Sequence, residues 1–261
     1  MTNDKDVVII GSGNVATHLA LALKANNFNI SQVYSRQMPN ATLLANRVGA
    51  TAISSLADIS SDAKWYIISI KDDAIPQIAD SLSSCISPDA YVMHTAGSVS
   101  IDVLKAKFAH CGVLYPMQTF TKSRALDFSV VPCFIEGADD DCFEEIRHFT
   151  EHISSRVVGA DSHRRKIMHL AAVFACNMVN HCYNLAEQIL NDNNLDFSLL
   201  YPLIAETASK AQTMSPHDAQ TGPMIRYDQS VMTAQKSMLH DKDMIQLYDI
   251  MAKSIHQRHT K

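Results

Sequence analysis

Short continuous apolar runs punctuate the first 160 residues and then stop. They fall at Val7–Ile10, Ile30–Ser35, Thr51–Ile53, Trp65–Ile70, Tyr91–His94, Gly112–Tyr115, Val131–Glu136 and Arg156–Val158. Runs this short, apolar at successive positions, suit strands buried on both faces. Between the first five lie amphipathic stretches with helical spacing, including Ala16–Leu23, Ala41–Val48 and Ala74–Leu82. Such alternation predicts an α/β fold with a doubly wound, mainly parallel sheet. After Gly159 no strand-like run remains. A long helix is predicted from Ser162 to Leu190, followed by helical segments over Phe197–Met214, Ser230–His240 and Lys242–His256. The pattern therefore divides the chain near residue 160, into a sheet domain at 1–159 and an all-α domain at 160–261.

The first strand runs directly into Gly11-Ser12-Gly13-Asn14-Val15-Ala16 and then into a helix. In a Gly-x-Gly-x-x-Ala turn of this kind, Gly11 permits the tight turn. Gly13 lets backbone approach a pyrophosphate, and Ala16 lets helix and strand pack closely. The helix N-terminus offers free N–H groups and the positive end of its dipole to phosphates. This context makes the sheet Rossmann-type, with Gly11, Ser12, Gly13, Asn14 and Val15 as dinucleotide contacts. The second predicted strand ends at Ser35-Arg36, where an acidic residue would bind the ribose 2′-hydroxyl of NAD. A hydroxyl and a guanidinium instead suit a 2′-phosphate, so NADP is the expected cofactor.

Composition narrows the classes further. With 47% hydrophobic residues in 261, the chain can bury a substantial core. A formal charge of −5 gives no electrostatic case for nucleic acid or an anionic membrane. The six cysteines show no Cys-x-x-Cys spacing and read as reduced core thiols; no metal site is expected. The polar lead Met1–Asp6 leaves no room for a signal peptide, and the longest apolar stretch, Leu170–Ala175, is too short to cross a bilayer. A cytoplasmic protein is expected.

Ligands of such sheets bind beyond the carboxyl ends of the strands. Three loops lie there. Ile70 and Lys71, after the fourth strand, would line the adenosine and diphosphate side, with Asp72-Asp73 capping the next helix. His94, Thr95, Ala96, Gly97 and Ser98, after the fifth, would meet the nicotinamide. Gln118 and Thr119 follow the sixth, in Tyr115-Pro116-Met117-Gln118-Thr119-Phe120. On the long helix, α-helical spacing puts Arg165, His169, Cys176 and Asn180 in one narrow sector, flanked by Lys166, Asn177 and Asn184. Polar side chains in so apolar a helix need partners or a ligand. This stripe is either a helix-packing or dimer contact, or the substrate face of an active site. In the second reading His169 exchanges a proton, because its ordinary pKa lies near neutrality. Asn177 and Asn180 would then orient the substrate. Gln220-Thr221-Gly222-Pro223 is a turn by composition, and the nearby Arg226 and Asp228 either pair with one another or anchor the loop with Thr221 over a substrate carboxylate, which suits Arg.

These motifs resemble a known group. Gly-Ser-Gly-Asn-Val-Ala at 11–16, Tyr-Ser-Arg at 34–36, His-Thr-Ala-Gly-Ser at 94–98 and Tyr-Pro-Met-Gln-Thr-Phe at 115–120 occur in order. Met-His-Leu-Ala-Ala-Val-Phe-Ala-Cys-Asn at 168–177 and Ala-Gln-Thr-Gly-Pro at 219–223 follow. Together they look like the Rossmann-like NADP oxidoreductases that carry a helical C-terminal domain of unknown function. That group is similar in architecture to pyrroline-5-carboxylate reductase, prephenate dehydrogenase and the 6-phosphogluconate dehydrogenase-like enzymes. The resemblance implies a homodimer formed by the helical domain and an active site between the domains. Related hydroxyacid dehydrogenases carry a catalytic Lys followed four residues later by Asn. Here Lys166 is followed by Leu170, whereas Lys166-x-x-His169 echoes the Lys-x-x-His of the phosphogluconate enzyme. Thr221 occupies a loop that corresponds to substrate-binding threonines of the pyrroline-carboxylate reductases.

The expectation is hydride transfer between NADP(H) and a small carbonyl or imine substrate that bears a carboxylate. His169, Asn177, Asn180, Ser98 and Thr119 would be catalytic; Gln118, Lys166, Thr221 and Arg226 would bind substrate. The alternative is a non-catalytic NADP-binding sensor or scaffold dimer, since fold does not prove function.

Overall fold

The computed structural model describes residues 4–260, so part of the polar lead, residues 1–3, lies outside the described residues. Eight strands form one sheet: β1 (Asp6–Ile10), β2 (Asn29–Tyr34), β3 (Thr51–Ile53), β4 (Trp65–Ile68), β5 (Tyr91–His94), β6 (Cys111–Pro116), β7 (Cys133–Gly137) and β8 (Val157–Gly159). Their order is β3-β2-β1-β4-β5-β6-β7-β8. The pairs are parallel except β6 with β7, which run antiparallel. The order reverses at β1, which puts the Gly11 turn at the point where such sheets open a ligand crevice.

Successive strand residues feed opposite cores, as a period of two requires. Val7 and Ile9 pack beneath α1 (Asn14–Ala25) and α2 (Met38–Val48), with Leu19, Leu23 and Leu44. Val8 and Ile10 face the other side, with Ile75 and Leu82 of α3 (Ile75–Leu82) and Leu104 of α4 (Asp102–Lys105). A helix that the apolar pattern did not reveal, α5 (Asp140–Glu151), covers the first side with Ile146 and Phe149; the Asp139 carboxylate caps it by accepting from Cys142 N at 2.8 Å.

Past β8 the described residues are helical. α6 (Ser162–Ala172) leads into a π-helical turn, Val173–Met178, and then α7 (Val179–Asp192). The predicted single α-helix is thus interrupted. α8 (Tyr201–Thr213), the short α9 (Pro216–Ala219) and α10 (Pro223–Arg226), α11 (Gln229–Lys236) and α12 (Lys242–His259) complete the chain. The chain forms two compact units that divide between Cys176 and Asn177. The change from strands to helices comes at residue 160, but α6 stays with the sheet because its Arg165 is tied to it. No helix of the described residues is long and apolar enough to cross a membrane. Cys111, Cys133 and Cys142 are buried, whereas Cys182 is exposed, which corrects the expectation that all six thiols sit in the core.

Candidate active site at the strand ends

The two glycines of the first turn are required for different reasons. Gly11 has φ +132°, and a Cβ there would lie 2.0 Å from the Ser69 carbonyl oxygen. Only glycine fits against the end of β4. Gly13 has ordinary extended backbone, with nothing within 4 Å of a Cβ. The space before α1 is open, and no side chain caps that helix. Ordinary N-caps supply an oxygen to the free N–H groups; here the groups remain available to an anion. Ser12 and Ser35 hydroxyls meet at 3.1 Å across the β1 and β2 ends. Arg36 is exposed, with no hydrogen bond or ion pair to another described residue. These features fit a dinucleotide bearing a 2′-phosphate: open backbone for the pyrophosphate, a hydroxyl pair and an unengaged guanidinium for the ribose end. Lys71 is exposed and Ile70 half-buried beside them.

Beyond β5 the chain is held from below. Arg165 is wholly buried. Its guanidinium pairs with Glu136 on β7 and donates to the carbonyls of Ala96, at 3.2 Å, and Val99. Ser162 joins the same cluster, donating to Glu136 at 2.8 Å and accepting from Ile101 N at 3.1 Å. A buried charge satisfied on this many sides is a structural anchor. Arg165 therefore takes the helix-packing reading of the polar stripe. His94 is also wholly buried, its Nδ1 accepting from Ala96 N at 3.2 Å, while Nε2 makes no hydrogen bond. Burial first, and then the Arg165 guanidinium, push its pKa down to about 3, against a weaker upward pull from the Ser100 backbone. His94 is neutral and shapes the turn from beneath, with no exposed surface of its own. Thr95 donates to Ser69 at 3.1 Å and so ties the β4 and β5 ends together.

The anchor sets α6 so that His169, one turn beyond Arg165, reaches the turn after β5. There His169 Nδ1 lies 3.0 Å from the Tyr115 hydroxyl, the rings meeting edge to face. A Cβ on Gly97 would sit 2.8 Å from that nitrogen and 2.9 Å from Tyr115 Cζ, so glycine is what lets the pair close over the loop. Burial, and then the Asp72 charge, hold the Tyr115 phenol above its usual pKa. Ser98, exposed at the next position, donates to the Asp72 carboxylate. This corrects the reading of Asp72-Asp73 as a helix cap: α3 starts with no side-chain cap, and Asp72 serves the loop. Gln118 and Thr119 are exposed, the Gln118 amide oxygen accepting from Thr119 N at 2.8 Å.

The structure thus gathers His94 through Ser98, Tyr115 and His169. Lys166 is exposed on α6. Asn177, Asn180, Thr221 and Arg226 are exposed residues of the second unit. The single sector drawn through Arg165, His169, Cys176 and Asn180 assumed unbroken α spacing; bonding between i and i+5 across Val173–Met178 removes that phase relation. Tyr115 and Asp72 were not among the expected site residues. Tyr115 stood in a quoted motif, but a partner 54 residues away gives no local signal.

Comparison with known proteins bears on the family and the fold. Residues 6–97 match the family model described as NADP oxidoreductase coenzyme F420-dependent. Residues 131–255 match a domain of unknown function, DUF2520. No curated protein matches. A Bacteroides fragilis protein assigned as an NADP oxidoreductase is 43% identical, with a TM-score of 0.94 over 97% of this chain and 98% of its own. A Thermotoga maritima protein is 22% identical, with a TM-score of 0.79 over 98% and 100%. The pyrroline-5-carboxylate reductase of Coxiella burnetii shares the fold at 13% identity and a TM-score of 0.58, over 98% of each chain.

Proposed function

We propose that this chain, which belongs to the NADP oxidoreductases and itself joins a coenzyme-binding sheet domain to DUF2520, reduces or forms a small carbonyl or imine compound bearing a carboxylate. When bound, NADP(H) supplies or accepts a hydride at its nicotinamide ring. Gly11–Val15 would hold the pyrophosphate, Ser35 and Arg36 the 2′-phosphate, Ile70 and Lys71 the adenosine side, and Thr95–Gly97 the nicotinamide side. Reduction of C=O or C=N needs a proton as well as a hydride, and the His169–Tyr115 pair is the observation that carries this reading.

Its proton inventory follows from burial. The phenol, held above its usual pKa, keeps its proton at neutral pH and is hydrogen-bonded to His169 Nδ1 at 3.0 Å. In its imidazolium form His169 would give the Nε2 proton to substrate oxygen or nitrogen and be left as the neutral ring, which would take that proton back in the oxidative direction. Tyr115 fixes the orientation of the ring, and Gly97 leaves room for both. Ser98, whose hydroxyl is held by Asp72, and Thr119, whose backbone N–H is bonded to the Gln118 amide, would supply two further hydroxyls. Lys166 supplies the exposed charge on α6 for a carboxylate. We also infer a homodimer, because Leu199, Tyr201 and Leu203 in the second unit are each at least 60% exposed.

The test is NADPH oxidation, followed by absorbance, over a panel of small keto and imino acids. His169→Ala should lower kcat about 10²–10⁴-fold with NADPH affinity unchanged. Tyr115→Phe should retain part of the rate and shift the pH profile. NADPH binding without turnover of any panel member would leave the sensor reading in its place.

A further inference from the structure

A cavity lies on the α1, α2 and α5 side of the sheet domain, far along α1 from Gly13. Its volume is about 570 Å³, within the range of small-molecule sites. Leu21, Leu126, Phe128 and Ile153 form an apolar floor; Phe128 and Ile153 are core residues, and Leu21 and Leu126 pack against the core. The rim differs in chemistry. Arg47 from α2 and Lys122 and Arg124 from the loop after β6 line it, and none has a hydrogen bond or ion pair from its side chain to another described residue. The carboxylate among the lining residues, Asp127, is already committed: it accepts from Ser129 N at 3.0 Å and from the Ser129 hydroxyl at 2.6 Å.

Three cations thus stand around an apolar floor, in a chain of net charge −5. One carboxylate, Asp127, faces three cations there, and a bound anion would relieve the repulsion that is left. The rim is also held in place. The His18 ring donates from Nε2 to the Thr121 carbonyl at 2.9 Å and leans on Phe120, at a centroid separation of 5.3 Å. That contact fixes the start of the loop that carries Lys122 and Arg124.

We propose that this groove binds an organic anion with an apolar body, an acyl or aryl group carrying a phosphate or a carboxylate. The body lies on Leu21, Leu126, Phe128 and Ile153; the head group meets Arg47, Lys122 and Arg124. The site is separate from the coenzyme turn and requires no turnover, so it stands whether or not the oxidoreductase reading does.

Calorimetric titration of the full-length protein with phenyl phosphate tests it, with inorganic phosphate and benzyl alcohol as the two half-ligands and phenylacetate as the carboxylate counterpart. One aryl anion, phosphate or carboxylate, should saturate a single site more tightly than either half-ligand. Its affinity should fall with salt and be unaffected by NADPH. The double variant Arg47→Ala/Arg124→Ala should weaken it about tenfold or more, with an unchanged melting temperature because both side chains are exposed. No saturable binding by either aryl anion, or displacement by NADPH, overturns the proposal. So does undiminished affinity in the variant. Inorganic phosphate binding as tightly as phenyl phosphate removes the apolar half of the site and overturns it equally. Should the variant fold poorly, the salt dependence and half-ligand comparison on the wild-type protein still decide.

Discussion

The two units treat their apolar residues in opposite ways. In the first, both faces of the sheet are covered, and strand residues such as Val8, Ile9, Ile67 and Ile68 are wholly buried. In the second, the buried hydrophobic residues are Met232 and Ala252 alone among those described, while Leu199, Leu203 and Met238 stand 67%, 63% and 68% exposed. A sheet covered by its own helices completes a core within one chain. A group of helices with apolar faces outward completes one only against another molecule. The first unit should therefore respond most to damage inside itself, and the second to damage at its surface.

The largest effect is expected at Arg165. Replacing it by Met keeps most of the volume but leaves Glu136 as a half-buried charge without its partner, and frees the carbonyls of Ala96 and Val99. Breaking such a pair costs about 3–5 kcal/mol, read as a lower urea midpoint for the sheet domain. A midpoint within error of wild type would mean that water satisfies Glu136, and that the first unit is less self-contained than its packing suggests. Loss of the anchor also moves His169, so NADPH should bind while turnover falls.

Much of this first unit was legible in sequence. Buried parallel strands are apolar at every position, so the eight runs stood out, and β3 and β5 match their predicted bounds. The antiparallel β6–β7 pairing was hidden, because strand direction has no signature in an apolar run. α5 was hidden too: its buried positions, Cys142, Ile146, Phe149 and Thr150, sit among five acidic residues and lack an obvious stripe. At the candidate site, the glycine turn was legible since it is local. The His169–Tyr115 contact was not, and neither was the choice between anchor and substrate contact for Arg165. Both depend on a partner supplied by a distant strand. In the second unit, hydrophobicity predicted helices correctly but could not say whether an apolar residue packs within its chain or across to another.

An intermediate effect tests that last point. Leu203→Glu puts a charge on an exposed apolar position of α8. If a second copy covers it, the substitution forfeits about 1.5–3 kcal/mol of burial, a rise in dimer dissociation constant of roughly 10–150-fold. Sedimentation equilibrium reads it directly, and the urea midpoint of the sheet domain should stay put. A wild-type protein that is monomeric at all concentrations would remove the dimer inference and leave the exposed helices without an explanation in this contrast.

The smallest effect on stability is expected at Gly13, and its neighbour in the same turn supplies the scale. Gly11→Ala drives a methyl to 2.0 Å from the Ser69 carbonyl oxygen at a φ of +132°, so backbone and strand end must both yield. Overpacking and strain of this kind cost about 1–3 kcal/mol or more. Gly13→Ala meets nothing within 4 Å, and its backbone already lies at φ −74°, where alanine is at ease. Its melting temperature should match wild type or rise slightly, since alanine narrows the unfolded ensemble. The added methyl instead occupies the space in front of α1, so NADPH affinity should fall while the fold is untouched. Equal losses of stability in the two variants would mean that Gly13, like Gly11, serves the packing of the turn. A stable Gly13→Ala protein with full NADPH affinity would move the pyrophosphate away from this helix end altogether.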